Sequence, residues 1–195
     1  MLVVLGLALV AAVAAVASAL GRTGSAAPAR AADRASLRLG PAPAPAGWQH
    51  LTLPNGSAVM YYPPGMHSIT ADADAVTAVR LGPDGAYLMY LNATPRQGEE
   101  TLRNWASYRL RVLLSDDASR ASLDASAAGQ PFRGGSGSCL IDHYVTRIGA
   151  HRYTELACLV QGRTAASVIV AAAPTATWGS AGPILEQAVS AYAVR

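Results

Sequence analysis

Apolar and polar positions change rhythm along this chain, and each change marks an element. Leu2 to Leu20 holds no charged residue and a single hydroxyl, Ser18. Those nineteen positions would rise roughly 28 Å as a helix, close to the ~30 Å hydrocarbon core of a bilayer. The length predicts a transmembrane anchor. Ala17-Ser18-Ala19 keeps a second reading open, because a signal peptidase cuts after such small-x-small sequences. Residues 21–46 follow with no large apolar residue except Leu37 and Leu39, and end in the alternating Pro41-Ala42-Pro43-Ala44-Pro45. That composition predicts an extended, semi-rigid tether.

From Trp48 the rhythm is that of short strands. Trp48–Leu53 and Ser57–Tyr62 flank the turn Pro54-Asn55-Gly56, and Pro63-Pro64-Gly65 stops the second strand. Ala75–Leu81 and Ala86–Asn92 flank a second turn, Gly82-Pro83-Asp84-Gly85. Between Glu99 and Leu114 the period becomes helical, with Leu102, Trp105, Ala106, Leu110 and Leu113 on one face. Glu99 and Glu100 are placed in its first turn, and Arg103, Arg109 and Arg111 on its other sides. Ser119–Ala128 is too rich in alanine and serine to assign to strand or helix. Cys139–Thr146, His151–Gln161 and Thr164–Ala173 then read as strands in quick succession. A last helix is expected over Ser180–Tyr192, burying Ile184, Leu185, Ala188, Val189 and Tyr192, with Pro183 in its first turn. The connections are hairpins instead of right-handed crossovers. The expected fold is therefore α+β, a mainly antiparallel sheet covered by helices, occupying residues 47–195 as one domain.

The two cysteines fix a register. Facing residues of an antiparallel hairpin have position numbers of constant sum, so Cys139 opposite Cys158 puts the turn between Ile148 and Gly149. A loop over Arg147–Ala150 then closes on Thr146 and His151. Counting back makes 139 and 158 a non-hydrogen-bonded pair, ~4.5 Å apart at Cα, near enough for a disulfide in an oxidising compartment. The same register sets Asp142 directly against Glu155, and like charges so placed weaken a sheet unless compensated. A carboxylate pair could share a proton or ligate a hard cation. The plainer expectation is a solvated sheet face neutralised by a nearby arginine, with Arg163 and Arg133 as candidates. His151 lies too far along the strand to join them, and His50 and His67 have no partner at ligand spacing.

Charge narrows the functional classes. Of 195 residues, 15 are basic and 12 acidic. Arg22, Arg30, Arg34 and Arg38 against Asp33 account for the whole formal charge of +3, so residues 47–195 are neutral. A neutral domain lacks the basic footprint of nucleic-acid binding, and no nucleic-acid partner is expected. Gly134-Gly135-Ser136-Gly137-Ser138 is neither a nucleophile elbow nor a phosphate loop: glycine is missing at position 138, and the chain contains no lysine. No catalytic residue, metal site or cofactor is expected. The absence of lysine, with alanine saturation, points to a high-GC bacterial genome. Orientation is less direct. No Lys or Arg precedes the apolar run and four Arg follow it, which by the positive-inside rule alone would face the domain to the cytoplasm. The charge-free start implies a basic leader upstream of Met1.

Gly47–Trp48 through Tyr61-Tyr62-Pro63-Pro64-Gly65, Phe132-Arg133-Gly134-Gly135 before the cysteine strand, and Trp178, Pro183-Ile184-Leu185-Glu186 and Ser190-Ala191-Tyr192 carry a family likeness. The region from Trp48 to Arg195 resembles the PsbP/Mog-type α/β/α sandwich of actinobacterial extracytoplasmic proteins. Similar domains stand outside the membrane in bacterial serine/threonine kinases, after an anchor and a Pro-rich linker. The resemblance implies a non-catalytic binding module, single-pass through residues 2–20 with its domain outside the cytoplasm, or secreted after signal cleavage. Its partner would be an unknown protein or envelope ligand. The alternative is a hydrolase or metal-dependent enzyme using Asp142 and Glu155.

Overall fold

The computed structural model describes residues 37–195. The expected membrane segment and most of the tether lie outside the described residues. No helix among those described is long and apolar enough to cross a membrane.

Ten strands and two helices follow in the order β1 (Gln49–Thr52), β2 (Ala58–Tyr62), β3 (His67–Ile69), β4 (Val76–Leu81), β5 (Tyr87–Pro95), α1 (Trp105–Asp116), β6 (Ala118–Phe132), β7 (Gly135–Thr146), β8 (Arg152–Gln161), β9 (Ala166–Pro174), α2 (Trp178–Ala191) and β10 (Ala193–Val194). Seven strands form one antiparallel sheet in the order β3-β4-β5-β9-β8-β7-β6, and β1-β2-β10 form a small second sheet. The middle strands β8 and β9 are buried along almost their whole length because both of their faces are covered, and β9 is a nearly continuous apolar run. On one face α2 and β2 pack over Leu91, Leu156, Cys158, Ile169 and Ala171. On the other, Trp105 of α1 packs over Leu140, Ala157, Leu159 and Val170, and its indole N–H donates to the Ala157 carbonyl at 3.1 Å.

Four elements depart from the sequence pattern. Helix α1 starts at Trp105, leaving Glu99 and Glu100 outside it. Local side-chain bonds hold the preceding turn open: Asn104 Oδ1 accepts the Thr101 N–H at 2.7 Å, and Asn104 Nδ2 donates to the Glu99 carbonyl. Leu102 consequently stays exposed, while Glu100 is buried and accepts the Gln97 N–H. The ambiguous stretch is the fifteen-residue edge strand β6, which bulges three times against β7. Helix α2 starts at Trp178, whose indole lies on the bare α-carbon of Gly182, so Pro183 falls in the second turn and not the first. With that start Leu185, Ala188, Val189 and Tyr192 are buried as expected and Ala181 joins them, while Ile184 turns outward. Finally, Leu37 and Leu39, which composition assigns to the tether, are buried in the α2-side core. The segment is tied down by the Leu39 N–H on Gln130 Oε1 at 2.8 Å and the Ala42 N–H on the Ser190 carbonyl at 3.0 Å.

Candidate functional site

The hairpin of β7 and β8 organises the site. Its register runs from Ser136 opposite Gln161 to Val145 opposite Arg152, with Cys139 opposite Cys158 and Asp142 opposite Glu155. The turn occupies residues 147–150, where Gly149 and Ala150 take φ of 74° and 50°. Thr146 and His151 close it, but only one main-chain bond forms. The Thr146 N–H donates to the His151 carbonyl at 2.9 Å, while the His151 N–H donates to Thr146 Oγ1. Cys139 and Cys158 are joined by a disulfide with their Cα atoms 4.1 Å apart, buried on the α2 side of the sheet.

The carboxylates lie on the α1 side. They are not on a solvated face: Asp142 and Glu155 are 0% and 1% exposed, because α1 covers them. The compensating cation is neither Arg163 nor Arg133. It is Arg109, which the sequence pattern placed on a polar side of the helix. Arg109 Nε donates to Glu155 Oε1 at 2.6 Å and Nη2 to Oε2 at 2.8 Å, a two-pronged pair. Burial alone disfavours the guanidinium charge, but the Glu155 carboxylate and its hydrogen bonds outweigh that and hold the Arg109 pKa above its ordinary value. Asp142 has the opposite fate. Neither of its oxygens has a hydrogen-bond partner. Burial first, and then the charge of Glu155, push its pKa up to about 8, so it is a neutral acid at pH 7. The like-charge conflict that the register implies is thus resolved by one arginine and one proton. One signal for Arg109 was present in the sequence: Trp105, Arg109 and Leu113 are spaced by four, so the arginine shares the buried stripe.

Above the ion pair is a cavity of about 640 Å³. Arg109 and Glu155 border it, with Tyr87, Tyr90, Tyr144 and Tyr153 among its walls. Tyr144 and Tyr153 stack at 5.5 Å, and Tyr87 tilts against Tyr90 at the same distance. Burial, before any neighbouring charge, raises the Tyr90 pKa to about 12 and raises that of Tyr144 as well. These phenols are therefore neutral hydrogen-bonding and stacking groups. Ile148, 89% exposed at the hairpin tip, stands on the rim beside His151. His151 borders the same cavity as Glu155, but Asp142 does not line it, so the three do not come together as one site. His50 and His67 lie exposed on β1 and β3. Among the described residues no three His, Cys, Asp or Glu side chains converge as a metal site would require.

No family model matches this chain, and no curated protein sequence matches it significantly. Solved structures do match. Cyanobacterial PsbP (CyanoP) from Synechocystis sp. PCC 6803 superposes with a TM-score of 0.55 at 14% identity, covering 76% of this chain and 92% of that one. The fold is PsbP-like. LpqN, involved in cell envelope biogenesis of Mycobacterium tuberculosis, is a more remote likeness. Its TM-score is 0.39 at 15% identity, over 78% of this chain and 80% of that one. At such identities the likeness is one of fold, and the PsbP-like sandwich hosts the tyrosine cavity and buried ions described above.

Proposed function

We propose that this chain is a non-catalytic binding module held outside the cytoplasm of a bacterial cell. Residues 2–20 tether it to the membrane, or release it after signal cleavage, and it docks a protein or envelope ligand in the tyrosine-lined cavity. The observation that carries this reading is how the polar groups around the cavity are committed. Glu155 gives both oxygens to Arg109 and burial keeps Tyr90 and Tyr144 neutral, so the tyrosine walls offer stacking area and hydrogen bonds, while Asp116, Asp117 and His151, which also border the cavity, can pair with polar groups of a ligand. The Cys139–Cys158 bridge supports the compartment, since such bonds persist where the surroundings are oxidising. A photo-crosslinking residue at Tyr87 or Ile148, in the full chain expressed in its native cells, should trap one dominant adduct. Adducts no more abundant than those from an exposed control position such as Arg96 would defeat the proposal.

The raised pKa of Asp142 supports a second reading, a hydrolase or metal-dependent enzyme using Asp142 and Glu155. A hard cation there would have to displace Arg109 from Glu155. Thermal shift against a panel of divalent metals separates the two readings: a metal-dependent rise that disappears in Asp142→Asn favours the enzyme.

A further inference from the structure

The opposite face of the same hairpin carries a second polar feature. Cross-strand register puts Arg120 of β6 and Arg152 of β8 on either side of Val145, in one row across three strands. One row further in, Ser122 faces His143. Helix α2 packs over β9, β5 and β2, so this half of the face is left open, with the His143 side chain 40% exposed. A cavity of about 520 Å³ opens there, bordered by Arg120, Arg152, His143, Ser119, Ser122 and Thr175 among others. No carboxylate borders it, although residues 47–195 carry as many acidic as basic groups. His143 Nδ1 lies 2.7 Å from Asp124 Oδ2, which sits at a bulge of β6 outside the cavity wall, a close contact without hydrogen-bond geometry.

We propose that this groove binds an oxyanion, a phosphate or carboxylate group, between Arg120 and Arg152. Adjacent strands lie ~4.8 Å apart, so the two arginines leave the sheet ~10 Å from each other. Their long side chains can close on one anionic group from both sides, each offering a planar fork of donors. The hydroxyls of Ser122 and Thr175 supply short-range donors around it. This cavity shares only Tyr144 with the proposed docking cavity, and the proposal does not rest on that docking reading.

The test is calorimetric titration of the full chain, in neutral detergent at low ionic strength, with inorganic phosphate and separately with malonate. Tighter phosphate binding would assign the natural group to a phosphate-bearing ligand, and tighter malonate binding to a carboxylate-bearing one. Arg120→Ala and Arg152→Ala should each weaken binding by ~10-fold or more, and the double variant should abolish it. Arg152→Lys should recover only part of the loss, because the ammonium keeps the charge but not the fork. Arg96→Ala, on an exposed arginine elsewhere, should leave affinity unchanged. Melting temperatures near that of the parent would show that the variants remain folded. The proposal is overturned if neither anion binds at millimolar concentration, if the double variant binds as the parent does, or if Arg96→Ala weakens binding equally.

Discussion

The two faces of the β7–β8 hairpin bury very different pairs three residues apart. On the α2 side Cys139 and Cys158 face each other in an apolar core and are joined covalently. On the α1 side Asp142 and Glu155 face each other, equally buried, and would repel. One register therefore places a crosslink and a conflict side by side. The first acts largely by restricting the unfolded chain. The second is tolerable only because a residue from another element arrives to compensate it, so the α1 face depends on tertiary docking in a way the α2 face does not.

Breaking the compensation should have the largest effect. Arg109→Ala leaves Glu155 buried without its partner and should destabilise the fold by about 3–5 kcal/mol, measured by urea unfolding. Retention of stability within ~1 kcal/mol would mean that Glu155 finds water or another cation. Cutting the crosslink comes next. Cys139→Ser with Cys158→Ser should lose about 2–4 kcal/mol without changing the fold, and non-reducing peptide mapping of native protein should find this bridge and no free thiol. A smaller loss, ~2 kcal/mol, is expected on the α2 face when a fragment 37–195 is shortened to 47–195. The truncation uncovers the sites of Leu37 and Leu39, and the ordering of the removed strap offsets part of that. Equal melting temperatures for the two fragments would make the strap incidental.

Asp142→Asn sharpens the comparison most finely. The folded state holds the Asp142 proton to about pH 8, whereas the ordinary carboxyl value is 3.8. Between those values the folded protein binds a proton that the unfolded chain has released, so this group's contribution to stability falls as pH rises, and it levels off above about pH 8. The variant lacks that slope. Its melting temperature relative to the parent should climb from pH 5 to pH 8 and then flatten; a constant difference would show that Asp142 ionises normally.

Much of this arrangement was legible because a hairpin register is arithmetic. Cys139, Cys158, Asp142 and Glu155 follow from one constant sum, as does the turn at residues 147–150. Arg109 did not follow, because its partner lies 46 residues away on another element and periodicity marks a buried stripe only by its apolar residues. The late start of α1 depended on Asn104 side-chain bonds, to which periodicity is blind. Strands β3 and β10, of three and two residues, are too short to have a period. In β6 the alanines and serines bury too little to show a preferred face. The tyrosine cavity assembles side chains from β5, β7 and β8, and only the Tyr144–Tyr153 pairing was visible from the hairpin.

Strand β6 ends the large sheet, and fifteen residues of unpaired edge would ordinarily invite a second chain to add on. Its irregularities forestall that. Register shifts after Ala118, Leu123 and Ala127 divide the strand into regular runs of Arg120–Leu123, Ala125–Ala127 and Gln130–Phe132. None exceeds four residues, and Pro131 removes a donor from the last. The opposite edge, β3, offers only three residues. An incoming strand finds no straight stretch longer than four residues at either edge of the large sheet, a safeguard against edge-to-edge association written into the kinks of its longest strand.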